Sequence, residues 1–382
     1  MRAIAFTSVF RWSCVAAAVA ALAFATGAQG GAPGVAARAF LVENPASSEV
    51  LAQHGAWSRV PIASITKLMT VIVALEHAKW NDVVRVQTAA ARVGESTVNL
   101  RAGERITVGD LVKAALIQSA NDAADALADY VAKGNQAAFV AMMNAKAEQL
   151  GLDRTHFARP DGLDAPVHYS TARDVTTLAV AAMRVPQIRA TVRMRTGTIA
   201  GGRHLHTWND LLGVFRGLYG VKTGHTAGAG WCEVAAVRRN GVTLYATVLG
   251  SPTRSQRNAD LASLLRWAVS RYRPVWLVQP ERVYQRASIG YGMKAVPLVA
   301  ARPLARSVRV DRPLVERVVA PSAMGLPVKR GERIGEIRVY SGKKLIARSP
   351  LVAGRSAHKP GFGGRLGYYA GRTLDHIGGW FS

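Results

Sequence analysis

The sequence predicts a mixed α/β protein of the α+β type, with one large domain and a smaller β-rich domain after it. Three observations carry this. Between about Val83 and Ile199 the apolar residues of several Ala-rich segments recur at helical spacing. Further on, Trp231 to Val237 and Val242 to Leu249 alternate around Arg239-Asn-Gly241, and Asn-Gly between two such runs is a strong hairpin signal. After Arg273-Pro274 the pattern changes again, to short alternating strands.

Taken in order, the chain begins with Arg2 and Arg11, an apolar run from about Val15 to Ala25, and the small residues Thr26-Gly-Ala28. That is the pattern of a secretory signal over residues 1–28, cut near Ala28. The run is short for a stable membrane span, so an uncleaved anchor is the weaker alternative. The expected location is extracytoplasmic, in the periplasm or cell-wall space. Cleavage would remove Cys14 and leave Cys232 alone.

Alternation in Ala37–Val42, the turn Asn44-Pro-Ala-Ser47 and Val50–Ala52 predict a hairpin. It leads to Pro61–Glu76, almost wholly apolar from Ile65 to Leu75 and free of Gly and Pro, as suits a helix buried on most sides. Leu111–Ile117, Ala123–Val131 and Ala138–Leu150 follow as helices, the last ending at Gly151, with the polar break Gln118-Ser-Ala-Asn-Asp122 between the first two. On its own that break fits a helix–helix turn. Arg159–Pro166 is a loop by its Pro and Gly content, and Tyr169–Asp174 starts a hydroxyl-capped helix. His204 and His206 share a strand face, but no supporting ligand spacing accompanies them, and no metal or cofactor is expected. Val221–Thr226 is a strand, and a helix over Ala259–Tyr272 closes a domain spanning 29–274.

Residues 275–353 hold the expected strands Ser307–Val310, Val315–Val319, Ile334–Tyr340 and Leu345–Ala347, with a turn at Ser341-Gly-Lys-Lys344. In the tail, 354–382, Phe362, Leu366, Tyr369, Leu374, Ile377 and Trp380 fall near one helical face, the pattern of a helix lying on a membrane surface. The formal charge is +25, and from Val275 to Ser382 there are 19 Lys and Arg against 6 Asp and Glu. Export argues against nucleic acid as the intended partner, leaving anionic lipid headgroups and anionic wall polymers.

Within the apolar Ile65–Leu75 run one residue does not belong. Lys67 puts an ammonium into core, and Ser64 lies one helical turn before it. Desolvation lowers a lysine's pKa, so a neutral amine could take the Ser64 proton, and the first-turn N–H groups could face an oxyanion. Alone, S-x-x-K is common enough that an ordinary lysine emerging from a helix is the first reading. Val221–Thr226 adds a cation, a hydroxyl and a glycine permitting close backbone approach.

Ser64-x-x-Lys67, Ser119-x-Asn121 and Lys222-Thr-Gly224, in that order, mark the penicillin-recognising serine enzymes. With Ala63–Thr70, Asn121–Ala124, Met143–Ala147, Tyr169–Asp174 and Lys222–Thr226, the chain resembles the low-molecular-mass penicillin-binding proteins, specifically serine D-alanyl-D-alanine carboxypeptidases, from about Ala37 to Ala353. The resemblance implies a β-lactamase/transpeptidase-like domain, an antiparallel sheet flanked by helices with a helical subdomain, and a C-terminal β module over Lys329–Gly335 and Leu345–Ala353. It implies peptidoglycan stem peptides ending in D-Ala-D-Ala as substrate and β-lactams as inhibitors. Ser64 would be the nucleophile, Lys67 its base and Ser119 the relay to the leaving amine. Asn121 would hold the substrate amide and position Lys67. Lys222, Thr223 and, by spacing, Arg257 would receive the terminal carboxylate, Gly224 lying within that wall. The oxyanion would face the N–H groups of Ser64 and His225, whose imidazole could also assist deacylation.

Two positions depart from the family pattern: Ala120 stands where Gly is common, and Tyr219 where an Asp is common before the third motif. The rivals are a D,D-endopeptidase using the same residues, which generally lacks the β module, and a wall-binding scaffold with a decayed site. A class A β-lactamase needs a further deacylating Glu in E-x-x-x-N, absent here since Leu152 follows Glu148 by four.

Overall fold

The computed structural model describes residues 17–22 and 31–378. The signal's basic start and cut site, and Trp380 of the tail, lie outside the described residues. Two compact units divide at Arg271 and Tyr272.

In the larger unit, five antiparallel strands run in the order Glu49–His54, Ala39–Asn44, Val242–Ser251, Gly230–Arg239, Leu218–Thr226. The Asn-Gly hairpin forms as its sequence requires, with Asn240 (φ 52°) and Gly241 (φ 69°) both left-handed. Leu218–Thr226 is therefore an edge strand, with one row of backbone groups outside the ladder. The helices Ala172–Ala182 and Arg254–Ser270 pack on this sheet. Their caps are Thr171, accepting from the Asp174 N–H, and Thr253, accepting from the Gln256 N–H. The second helix thus begins at Arg254, five residues before its predicted start, and Arg257 lies in its first turn rather than along the hairpin.

Around the helix Lys67–His77, whose residues from Lys67 to Ala74 are all buried, gather Asn121–Val131, Gln136–Gln149 and Ala172–Ala182. This is the centre of the unit's core. Ser64 precedes the α-helix, in a 3₁₀ turn over Ala63–Thr66. The predicted helix Leu111–Ile117 divides into an α-helix, Val108–Lys113, and a π-helical turn, Ala114–Gln118. That turn ends at Ser119, left-handed at φ 66°, before the helix Asn121–Val131.

The smaller unit has its own core, built on a sheet that includes Leu314–Val319, Arg333–Ser341, Lys344–Ala353, Val296–Ala300 and Val283–Ile289. Ala17–Leu22, from the apolar run near the N-terminus, pairs antiparallel with Leu314–Val319 at its edge. Arg273-Pro274, predicted as a boundary, lies inside the strand Tyr272–Val278. Among the described residues that strand pairs only with Leu304–Arg309, a two-stranded setting that tolerates proline. The tail forms a helix, Phe362–Gly378, on which Phe362, Leu366 and Tyr369 are exposed.

Candidate active site

Two glycines let separate parts of the chain meet at Ser64. A Cβ on Gly224 would stand 2.9 Å from the Ile62 carbonyl oxygen and 3.0 Å from the Ser64 nitrogen. A Cβ on Gly162 (φ 81°) would stand 2.3 Å from the Ala63 carbonyl oxygen. So the edge strand closes on Ser64 from one side and the Arg159–Pro166 loop from the other, at distances only glycine allows.

Lys67 is fully buried behind Ser64. Its Nζ lies 2.8 Å from Ser64 Oγ, 2.7 Å from Asn121 Oδ1 and 2.6 Å from the Asp161 carbonyl oxygen. Burial pushes this amine down to about 8, against the pull of Asp161, Asp125, Glu95 and Asp122. The geometry then fixes a direction. The Asn121 and Asp161 oxygens only accept, so they take both N–H bonds of a neutral amine. The lone pair is left for Ser64, whose O–H donates to it. Loss of one proton from Lys67 therefore turns the Ser64 contact from an acceptor into a donor. The Asn121 side chain is held for this, one Nδ2–H donating to the Gly94 carbonyl at 2.9 Å.

Lys222, also buried, donates to Ser119 Oγ at 2.8 Å and to the Thr223 carbonyl at 2.9 Å. Burial, then repulsion from Lys67 and Arg257, holds its pKa well below the usual lysine range, with Glu233 opposing. Ser64, Ser119, Asn121, Thr223, Gly224 and His225 line one cavity of about 190 Å³. Arg257 lines it too, although it is 1% exposed and ion-paired to Glu233 and Asp210. The structure thus gathers all nine residues singled out in the sequence.

It adds several that the sequence did not point to. Glu95, left-handed at φ 64°, and Ser96 form a rim, with Trp208 and Trp231 as aromatic walls. The His225 and Trp231 rings stack with centroids 4.0 Å apart. Asp122, in the first turn of the helix Asn121–Val131, accepts from the Val98 and Leu100 N–H groups and ties down that rim. His168 Nδ1 accepts from the Ala158 N–H, which leaves its Nε2–H to donate to Thr66 Oγ1 at 2.8 Å. Burial pushes this histidine down to about 4. Of these, Trp231 and Asp122 fall in stretches the sequence had marked. His204 and His206 are exposed on the short strand Arg203–His206, and among the described residues no group of three metal-ligating side chains gathers.

Residues 26–253 match the family model for Peptidase S11, D-alanyl-D-alanine carboxypeptidase. The chain belongs to the D-alanyl-D-alanine carboxypeptidase family. It is 33% identical to D-alanyl-D-alanine carboxypeptidase DacC of Escherichia coli K12, over 92% of each chain. With DacA of the same organism it shares 30% identity, over 92% of this chain and 90% of that one. Among solved structures it resembles the carboxypeptidase DacD of Francisella tularensis, at a TM-score of 0.62 and 25% identity, covering 86% of this chain and 95% of that one. It also resembles the Streptomyces K15 DD-transpeptidase, at a TM-score of 0.59 and 31% identity, covering 63% of this chain and 99% of that one. The latter match spans about the length of the larger unit alone. Like its relatives, this carboxypeptidase is a serine hydrolase of the penicillin-binding fold, an antiparallel sheet with helices and a further sheet domain.

Proposed function

We propose that this carboxypeptidase removes the terminal D-alanine of peptidoglycan stem peptides through an ester on Ser64. The observation that carries this reading is the acceptor set around Lys67, which makes its neutral form a hydrogen-bond acceptor for Ser64. Ser64 Oγ gives its proton to Lys67 Nζ and attacks the carbonyl carbon between the two D-alanines. The oxyanion takes hydrogen bonds from the backbone N–H groups of Ser64 and His225. The C–N bond breaks, and the proton held on Lys67 passes by way of Ser119 to the departing D-alanine amine. Water then attacks the ester, the proton path reverses, and Ser64 is restored. The His225 imidazole assists that second half.

Lys222, Thr223 and Arg257 receive the terminal carboxylate, while the outward backbone of the edge strand Leu218–Thr226 aligns the peptide. Penicillins, which present a strained amide and a carboxylate at similar spacing, acylate the same serine. Export by residues 1–28 would deliver the enzyme to the periplasm or cell-wall space. The exposed Phe362, Leu366 and Tyr369 support peripheral contact of the 354–382 tail with the membrane; among the described residues no helix is long and apolar enough to cross one. The test is release of free D-alanine from a D-Ala-D-Ala-terminated pentapeptide by wild type and by Ser64→Ala. Cleavage by wild type alone supports the reading; turnover by the variant reassigns the nucleophile.

A further inference from the structure

Glu233 is out of place in its strand. It is fully buried between Cys232 and Val234, in a stretch where every other residue from Cys232 to Val237 is apolar. A carboxylate there is strongly unfavourable unless a cation answers it. The ladder sets Glu233 opposite Thr223 on one side and Val248 on the other, so these three side chains share a face. Arg257 reaches that face from the helix Arg254–Ser270.

The contacts of Arg257 are one-sided. Its Nε lies 3.1 Å from Glu233 Oε2 but directs its N–H to Asn258 Oδ1 at 3.0 Å. The pairing with Glu233 is thus a charge contact without a hydrogen bond, and among the described residues neither Glu233 oxygen accepts one. One terminal nitrogen, Nη2, donates to Asp210 Oδ2 at 3.1 Å and to Asn258 Oδ1 at 2.6 Å. The Trp231 ring centre stands 5.8 Å from the guanidinium carbon. The other terminal nitrogen, Nη1, has no hydrogen-bond partner among the described residues, yet Arg257 lines the cavity.

We propose that Glu233 is a positioning residue for carboxylate recognition: with Asp210 it pins the Nε–Nη2 edge of Arg257, so that Nη1 is presented to the C-terminal carboxylate of the substrate. This deepens the carboxypeptidase reading and rests on it. Glu233 also allows two cations to serve one anion. Arg257 and Lys222 repel across the strand, and Glu233 between them favours the charged form of Lys222; burial pushes the Glu233 carboxyl itself up to about 7, with Arg257 and Lys222 opposing. Without Glu233, Arg257 keeps Asp210 as its one counter-charge among the described residues, and with Asn258 Oδ1 still accepting from Nε and Nη2 the fork is drawn toward Asp210.

A pair of N-acyl-D-alanyl thioesters tests this, one with thioglycolate as leaving group and one with the uncharged thioglycolamide. The ratio of their kcat/KM values measures carboxylate preference separately from overall activity. Wild type should favour the carboxylate, and Glu233→Gln should reduce that preference about tenfold or more, mainly through KM. Glu233→Asp, which keeps the charge, should restore part of it. Should the Gln variant not fold, Glu233→Leu fills the space with no polar demand and makes the same prediction. A preference equal to wild type in a folded Gln or Leu variant overturns the role of Glu233 alone. No preference in wild type overturns the carboxylate wall and this inference with it.

Discussion

Varying pH during acylation tests the chemistry of Lys67 directly. The amine is pushed down to about 8 by burial, from an ordinary 10.5. At pH 7 roughly one enzyme in ten would then hold a neutral amine, against about one in 3,000 for an unperturbed lysine, a gain of roughly 300-fold in competent enzyme. The second-order rate of acylation by benzylpenicillin reports the free enzyme, so it should rise close to tenfold per unit from about pH 6 and level off above about 8. Lys222 must stay charged meanwhile. Burial, then the Lys67 charge, holds Lys222 well below the usual lysine range, and deprotonating Lys67 lifts that repulsion. Lys67→Arg should lose at least about 1,000-fold, since a guanidinium keeps its proton throughout. Stopped-flow acylation with a fluorescent penicillin between pH 6 and 10 gives the curve. A rate that is flat over this range, or that climbs only near 10.5, would refute the claim that burial prepares the base.

Three further outcomes are expected. Gly224→Ala should fold, since only the edge strand must shift, yet acylate about 100-fold more slowly because the added Cβ pushes Lys222–His225 away from Ser64; near-normal acylation would mean the close approach is dispensable. His168 stays neutral in the folded protein down to about 4. Between pH 6.5 and 4 the unfolded chain binds a proton that the fold refuses, so stability falls on acidification, by up to about 3 kcal/mol from this residue. Urea unfolding of His168→Gln should show a correspondingly flatter acid limb, and parallel curves would remove His168 from the account. Truncation before Phe362 should leave thioester turnover intact and move the protein from the membrane to the soluble fraction; unchanged fractionation would end the membrane reading of the tail.

What the sequence made legible was whatever contradicts its surroundings. Lys67 stood out because a charge interrupts a core helix, and Asn240-Gly241 because left-handed backbone is costly for most residues. Less visible were contacts made by the backbone. The Asp161 carbonyl that completes the Lys67 set belongs to a peptide group that any residue supplies, so no side-chain pattern announces it. Glu233 carries the same signal as Lys67, a charge in an apolar run, but a strand turns alternate residues to opposite faces, so a charge there does not by itself mark burial. Arg257 was found by resemblance and spacing along the hairpin, and it stands instead on the helix that Thr253 caps. The strands Tyr272–Val278, Val283–Ile289 and Val296–Ala300 escaped notice because proline or irregular spacing masks their period, and cross-strand packing rather than local preference sets them.

The central claim is that Ser64 carries the acyl group. Intact-mass measurement after benzylpenicillin treatment, followed by peptide mapping, tests it in one step. A single adduct on the peptide containing Ser64, absent from Ser64→Ala, is the predicted result. An adduct on another residue, or an unmodified enzyme that still releases D-alanine, would contradict it.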